Sequence, residues 1–88
     1  MQGMVLSREG RVEEAERACQ EGLELARSLP YPYAEGRILH QLGLLEQLRG
    51  EHGQARQHLE EAQMIFQRLG AQQDVERTAD ALAALAGA

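Results

Sequence analysis

The residues able to do chemistry in this chain of 88 residues are few. His40, His52 and His58 raise metal ligation, which needs two imidazoles on one helical face at a His-x3-His or His-Glu-x2-His spacing. No such pair exists here, His40 falls on a different predicted helix from the other two, and His52 falls at a turn. Surface or groove histidines are the expectation, with no metal. Cys19 occupies an apolar helical slot, where a buried structural thiol is expected and not a nucleophile. Glu13-Glu14 and Glu60-Glu61 are neighbours in sequence, and adjacent residues on a helix point in different directions, so they read as solvated faces. Gly50-Glu51-His52-Gly53 lacks both the lysine and the strand of a phosphate loop. Nothing here assembles a catalytic constellation, so a non-enzyme without cofactor is expected.

Composition narrows the classes further. Lys+Arg total 9 against Asp+Glu 14, giving a net charge of -5, and lysine is absent. A nucleic-acid binder carries a basic stripe, so neither nucleic acid nor an anionic membrane is an expected partner. One cysteine excludes an internal disulfide framework and points to a reducing compartment, the cytoplasm. The opening Met1-Gln2-Gly3-Met4-Val5-Leu6 lacks the charged start and the length of a secretion signal. No apolar run approaches the roughly 18 residues of a membrane span. Hydrophobic residues make up 43% and aromatics only 3%, so the core must be aliphatic.

The elements that position these residues are helices punctuated by glycine and proline. A stub over 1–9 is expected to stop at Gly10, where a left-handed cap is common. A second helix over 11–29 places Val12, Ala15, Cys19, Gly22, Ala26 and Leu29 on one face and ends at Pro30. Pro32 suits the first turn of a third helix over 33–49, with Ile38, Leu39, Leu42 and Leu45 inward and Gly50 as its stop. A fourth over 53–69 turns Ala55, Leu59, Ala62, Phe66 and Leu69 inward and closes at Gly70. A fifth over 72–85 carries Val75, Ala79, Leu82 and Leu85. Short loops make consecutive helices antiparallel neighbours. Gly22 and Gly43, each costing about 1 kcal/mol against alanine within a helix, imply close packing there.

Shifted by 40 residues, the chain matches itself without a gap. Gly3, Gly10, Ala15, Glu21, Leu29, Arg37, Leu42 and Leu45 meet Gly43, Gly50, Ala55, Glu61, Leu69, Arg77, Leu82 and Leu85. Such a period marks a stacked array of supersecondary units.

The pattern resembles a tetratricopeptide repeat. Leu39, Leu42, Gly43, Glu46, Ala55, Leu59 and Gln67 hold the slots of the complete copy, and Ala62 follows as the next small residue. A partial first copy supplies Gly3, Leu6, Ala15, Cys19 and Gly22, and the start of a third supplies Ala79, Leu82, Ala83 and Ala86. Leu39 and Glu46 stand in the aromatic slots, Gln67 in the closing proline slot, and the period exceeds the usual length by about a turn. This longer form is similar to repeats in large bacterial transcription regulators and signalling ATPases. The resemblance implies an all-α stack of antiparallel hairpins in a right-handed superhelix of about two and a half repeats. It divides the single domain 1–88 into a partial repeat (1–35), a complete repeat (36–75) and the first helix of a further one (76–88).

The resemblance also implies a protein-interaction scaffold whose first helices line a concave groove. The groove slots fall on Arg37, His40, Gln41, Leu44, Gln47 and Leu48, then Arg77, Asp80, Ala81 and Ala84, with Met4, Ser7 and Arg8 from the stub. Some members grip a terminal carboxylate with paired Lys and Asn, and this chain has neither. Arg8, Arg37 and Arg77 leave an acidic peptide as the expected ligand, because arginine pairs with carboxylates in bidentate fashion. A helix-turn-helix DNA reader would need a basic second helix, whereas the fourth helix sets Glu60 and Glu61 against Arg56 and Arg68. The last segment, Asp80-Ala81-Leu82-Ala83-Ala84-Leu85-Ala86, ends on small apolar surface, and the stub lacks its first half. A regulatory piece of a larger protein and a homo-oligomer joined through its terminal helices both fit, and self-association alone is the alternative function.

Overall fold

The computed structural model describes the backbone of residues 8–87 and the side chains from residue 10 onward. Among the described residues there are four helices and no strand: α1 (Arg8–Ser28), α2 (Pro32–Leu48), α3 (His52–Leu69) and α4 (Gln72–Ala86). The breaks fall where chemistry places them. Pro30 follows α1, and Pro32 takes the first turn of α2, where a missing N–H costs nothing. At the end of α2, Gly50 adopts φ 81°, donates to the Gln47 carbonyl, and lets Glu51 N–H reach the Glu46 carbonyl at 2.9 Å. That pair of bonds satisfies two orphan carbonyls of the last turn. Gly70, at φ 71°, plays the same part after α3.

The expected stop at Gly10 is overturned. α1 starts at Arg8 and runs through it. Glycine permits a left-handed cap without compelling one, and holding it in a helix costs only about 1 kcal/mol relative to alanine. The rest of the stub, residues 1–7, lies outside the described residues.

Successive helices pack in order, α1 on α2, α2 on α3 and α3 on α4, and α2 also touches α4 directly. The interior sits around the α2–α3 hairpin. Leu39, Ala55, Leu59 and Ala62 are entirely buried, with Leu42 and Phe66 almost so. Close approach of these helices depends on missing side chains. A Cβ on Gly43 would lie 2.7 Å from Leu59 Cγ, and one on Gly36 would lie 2.8 Å from the Phe66 ring. Gly22 is less constrained, its nearest neighbour being Ile38 Cδ1 at 3.3 Å.

Three residues expected inward face solvent. Leu29 and Leu69 are 54% and 45% exposed, because each closes its helix at a loop and rotates off the packing face. Ala79 is exposed because α4 packs on α3 through Ala81, Leu82 and Leu85. Leu23, absent from the sequence pattern, joins Leu39, Ala62 and Phe66 in the core. The helix breaks precede residues 35 and 75, which lie inside α2 and α4.

Charged side chains tie the outer layer. Arg27 of α1 reaches both following helices, meeting Glu35 of α2 at 2.9 Å and Glu61 of α3 at 3.2 Å. Arg49 gathers Glu16 at 2.8 Å, Glu13 at 3.7 Å and Glu51 at 3.9 Å, pinning the α2–α3 turn to α1. Exposed pairs like these add little stability individually. They set orientation.

Candidate functional site

α2 and α4 are the first helices of two successive hairpins, and side-chain hydrogen bonds join them. His40 Nδ1 lies 3.0 Å from Thr78 Oγ1, and that hydroxyl donates its single proton to the Asp74 carbonyl at 2.8 Å. With its proton committed, Thr78 Oγ1 must accept, so neutral His40 carries its proton on Nδ1 and keeps Nε2 as an acceptor. Two turns before His40 on α2, Tyr33 OH donates to Asp74 Oδ2 at 2.8 Å. Arg37 Nη1 reaches the same phenol oxygen at 3.5 Å, and its guanidinium lies 5.9 Å from the Tyr33 ring centroid. Tyr33 also packs its ring against Phe66, the centroids 5.8 Å apart, which anchors this polar set to the core.

The electrostatics follow from that geometry. Burial pushes His40 below the ordinary imidazole range; Asp74 opposes this, while Arg37 and Arg77 add to it. Arg37 is held still more firmly charged than an ordinary guanidinium, mainly by its bond to Tyr33. One face therefore gathers two cations, Arg37 and Arg77, around a neutral imidazole and the Asp74 carboxylate.

Of the residues expected in the groove, Arg37, His40 and Arg77 come together in this way. Gln41 and Leu48 are exposed on α2, Leu48 at 74%, while Leu44 and Gln47 are half-buried. Asp80 and Ala84 are exposed on α4, and Ala81 is half-buried against the α3 core. Met4, Ser7 and the side chain of Arg8 lie outside the described residues. Sequence reasoning passed over Tyr33, Asp74 and Thr78. The signal was present for Tyr33, which stands one helical turn before Arg37 on the same stripe.

Two other expectations change. His58, read as a surface or groove residue, is half-buried and sets Nδ1 2.6 Å from Glu46 Oε1. Glu46 itself is only 4% exposed, in a slot where an aromatic residue was expected. The pair fills that place with a hydrogen bond in lieu of a ring. Cys19 is half-buried, and burial followed by the Glu16 carboxylate pushes its thiol up, away from the reactive thiolate. On the opposite side of α2, a cleft of about 490 Å³ is lined by Pro32, Glu35, Met64, Ile65, Arg68 and Leu69, with Glu61 at its wall. Its carboxylates Glu35 and Glu61 are already engaged by Arg27.

Comparison with known proteins agrees with this architecture. A family model described as tetratricopeptide repeat matches residues 1–68. No curated protein matches the chain. Among solved structures, the designed protein DA05, determined by solution NMR, superposes with a TM-score of 0.80 at 21% identity, over 86% of this chain and 76% of that one. At that identity the likeness concerns the fold. No described helix is long and apolar enough to cross a membrane.

Proposed function

The chain belongs to the tetratricopeptide repeat family, whose members mediate protein–protein interaction, and from that premise we propose that the face shared by α2 and α4 binds a segment of a partner protein. The observation that carries this reading is the network of Tyr33, Arg37, His40, Asp74 and Thr78, which joins two successive first helices into one surface. Arg37 and Arg77 offer guanidinium donors to a carboxylate, His40 Nε2 offers an acceptor, and Leu44 and Leu48 extend the face with aliphatic surface. The matching ligand is an extended or helical segment with an acidic residue followed by an apolar one.

No chemistry is assigned to this face, and the role is that of a scaffold. Residues 1–35, 36–75 and 76–88 serve as a partial repeat, a complete repeat and the first helix of a further one. A reducing compartment, the cytoplasm, suits a chain with a single cysteine.

The test is titration of an acidic-apolar peptide pool against the wild-type chain, Arg37→Ala and Arg77→Ala. Each variant should bind about tenfold more weakly, the effect of losing one charge-assisted hydrogen bond of about 1.5 kcal/mol. Binding should also fall with added salt, since both arginines are exposed. Unchanged affinity in both variants would remove the arginines, and with them the acidic ligand.

A further inference from the structure

The hydrogen bonds that join α2 to α4 fix which nitrogen of His40 can change its proton. The Asp74 carbonyl takes the single proton of Thr78 Oγ1 at 2.8 Å, so that oxygen receives the Nδ1 proton of His40 at 3.0 Å. Nε2 bears the lone pair that titrates, and it meets no partner among the described residues. An imidazolium donates from both nitrogens, so a proton gained on Nε2 leaves the Thr78 contact intact. The joint between the hairpins survives. Only Nε2 changes, from acceptor to donor.

The charges around the ring decide when that change occurs. Among the described residues, Arg37 acts on it from α2, and Asp74 and Arg77 act on it from α4, with none from α1 or α3. The remaining titratable group of the network, the Tyr33 phenol, is bonded to Asp74 and Arg37. Burial and the two arginines hold the ring neutral against a single carboxylate. A ligand carboxylate held by Arg37 and Arg77 reverses that balance, because it brings a second negative charge to the ring. Its oxygens also face the Nε2 lone pair with lone pairs of their own, unless a proton lies between them.

We propose that the α2–α4 face takes up a proton on His40 Nε2 as it binds an acidic segment, so that recognition strengthens on acidification. This regulation rests on the reading of that face as the binding surface. A bound carboxylate favours the imidazolium, so the ring in the complex titrates at higher pH than in the free protein. By reciprocity the protonated ring favours the bound carboxylate. Affinity is therefore lowest where the ring is neutral in both states. It rises as the pH falls through the value of the complex and levels off below that of the free protein. A ligand glutamate, with an ordinary pKa of about 4.3, stays ionised at about pH 5.5, where Arg37, Arg77 and His40 all present donors to it.

Isothermal titration calorimetry of the full chain tests this with terminally blocked decapeptides, each carrying one Glu-Leu step, screened at about pH 5.5 and about pH 7.5. The best binder should hold the wild-type chain about fivefold more tightly at the lower pH, the result of a pKa rise of about one unit in the complex. At about pH 6, titrations in buffers of different ionisation enthalpy should show net proton uptake by the wild type. His40→Gln keeps a donor for Thr78 Oγ1 but cannot titrate, so it should show none. Proton NMR of the wild type needs no variant: the His40 ring should titrate at higher pH with the peptide bound than without it. An unmoved ring titration, equal affinity at both pH values, or proton uptake that persists in His40→Gln overturns the proposal and leaves the binding surface in place. So does affinity that falls on acidification, as when a ligand donates to neutral Nε2. Absence of binding at both pH values removes the surface, and this regulation with it.

Discussion

The α2–α3 hairpin and the helices that flank it carry one forty-residue pattern, yet they bury it to different degrees. In the hairpin, Ala55, Leu59 and Ala62 have no exposure, while their counterparts Ala15, Cys19 and Gly22 on α1 are half-buried. Leu39 is buried, and its counterpart Ala79 on α4 is exposed. Position in the repeat sets which way a side chain points. Whether that direction is interior depends on a neighbour being there, since stability in a stack is a sum of unit and interface contributions. A helix with packed neighbours on both flanks therefore holds larger residues and tolerates less change than one with a neighbour on one flank.

The most forceful way to break this comparison is to cut the same slot in both regions. Leu59→Ala empties the centre of the hairpin beside Gly43 and should cost about 2–5 kcal/mol, by transfer and cavity together. Cys19→Ala removes only a half-buried sulfur from the matching slot and should cost under about 1 kcal/mol. Urea unfolding at neutral pH measures both. Equal losses would mean that α1 is as enclosed as α3, and the contrast between the regions would vanish.

A smaller effect separates them through polar satisfaction. His58→Ala leaves the buried Glu46 carboxylate without its 2.6 Å partner, a loss of about 1–3 kcal/mol. Adding Glu46→Leu to that variant removes the orphaned carboxylate, and most of the lost stability should return. If the double variant is as weak as the single one, the penalty comes from lost packing and not from an orphaned carboxylate.

These contrasts also show what the amino-acid pattern could reveal. Helix type, most breaks and the stacking order were legible, because Pro30, Gly50 and Gly70 act on the backbone locally. Ala55, Leu59, Ala62 and Phe66 were legible because two packed neighbours give α3 a clean helical period. Gly10 misled because a glycine permits a left-handed cap without requiring one, and α1 runs through it. Arg37, His40 and Arg77 could be placed on one face by the period alone. Tyr33, Asp74 and Thr78 could not, since their role is a contact between residues about forty apart whose types do not repeat. Glu46 and His58 form a similar case: each reads as a surface residue singly, and only their meeting across the hairpin makes both tolerable inside.

The subtlest distinction concerns His40, and pH exposes it. His40, half-buried against Thr78, sits below the ordinary imidazole value of 6.5, mainly through burial. In the unfolded chain that depression is lost, so lowering the pH through about 6.5 loads the proton onto unfolded molecules first. Stability from keeping His40 neutral is therefore present above pH 6.5 and drains away as the pH falls towards the lower folded value. His40→Gln retains a donor for Thr78 Oγ1 but cannot titrate, so its stability should decline less between pH 7 and pH 5. Taking the difference between the two chains cancels carboxylates and the other histidines, which both share. Proton NMR supplies the direct readout: the His40 ring should titrate below the ordinary imidazole value of 6.5. Parallel pH curves for the two chains, or a His40 ring that titrates at 6.5 or above, would mean that the α2–α4 face encloses His40 no more than open solvent does, and the α2–α4 contact would lose its distinctness from an ordinary helix surface.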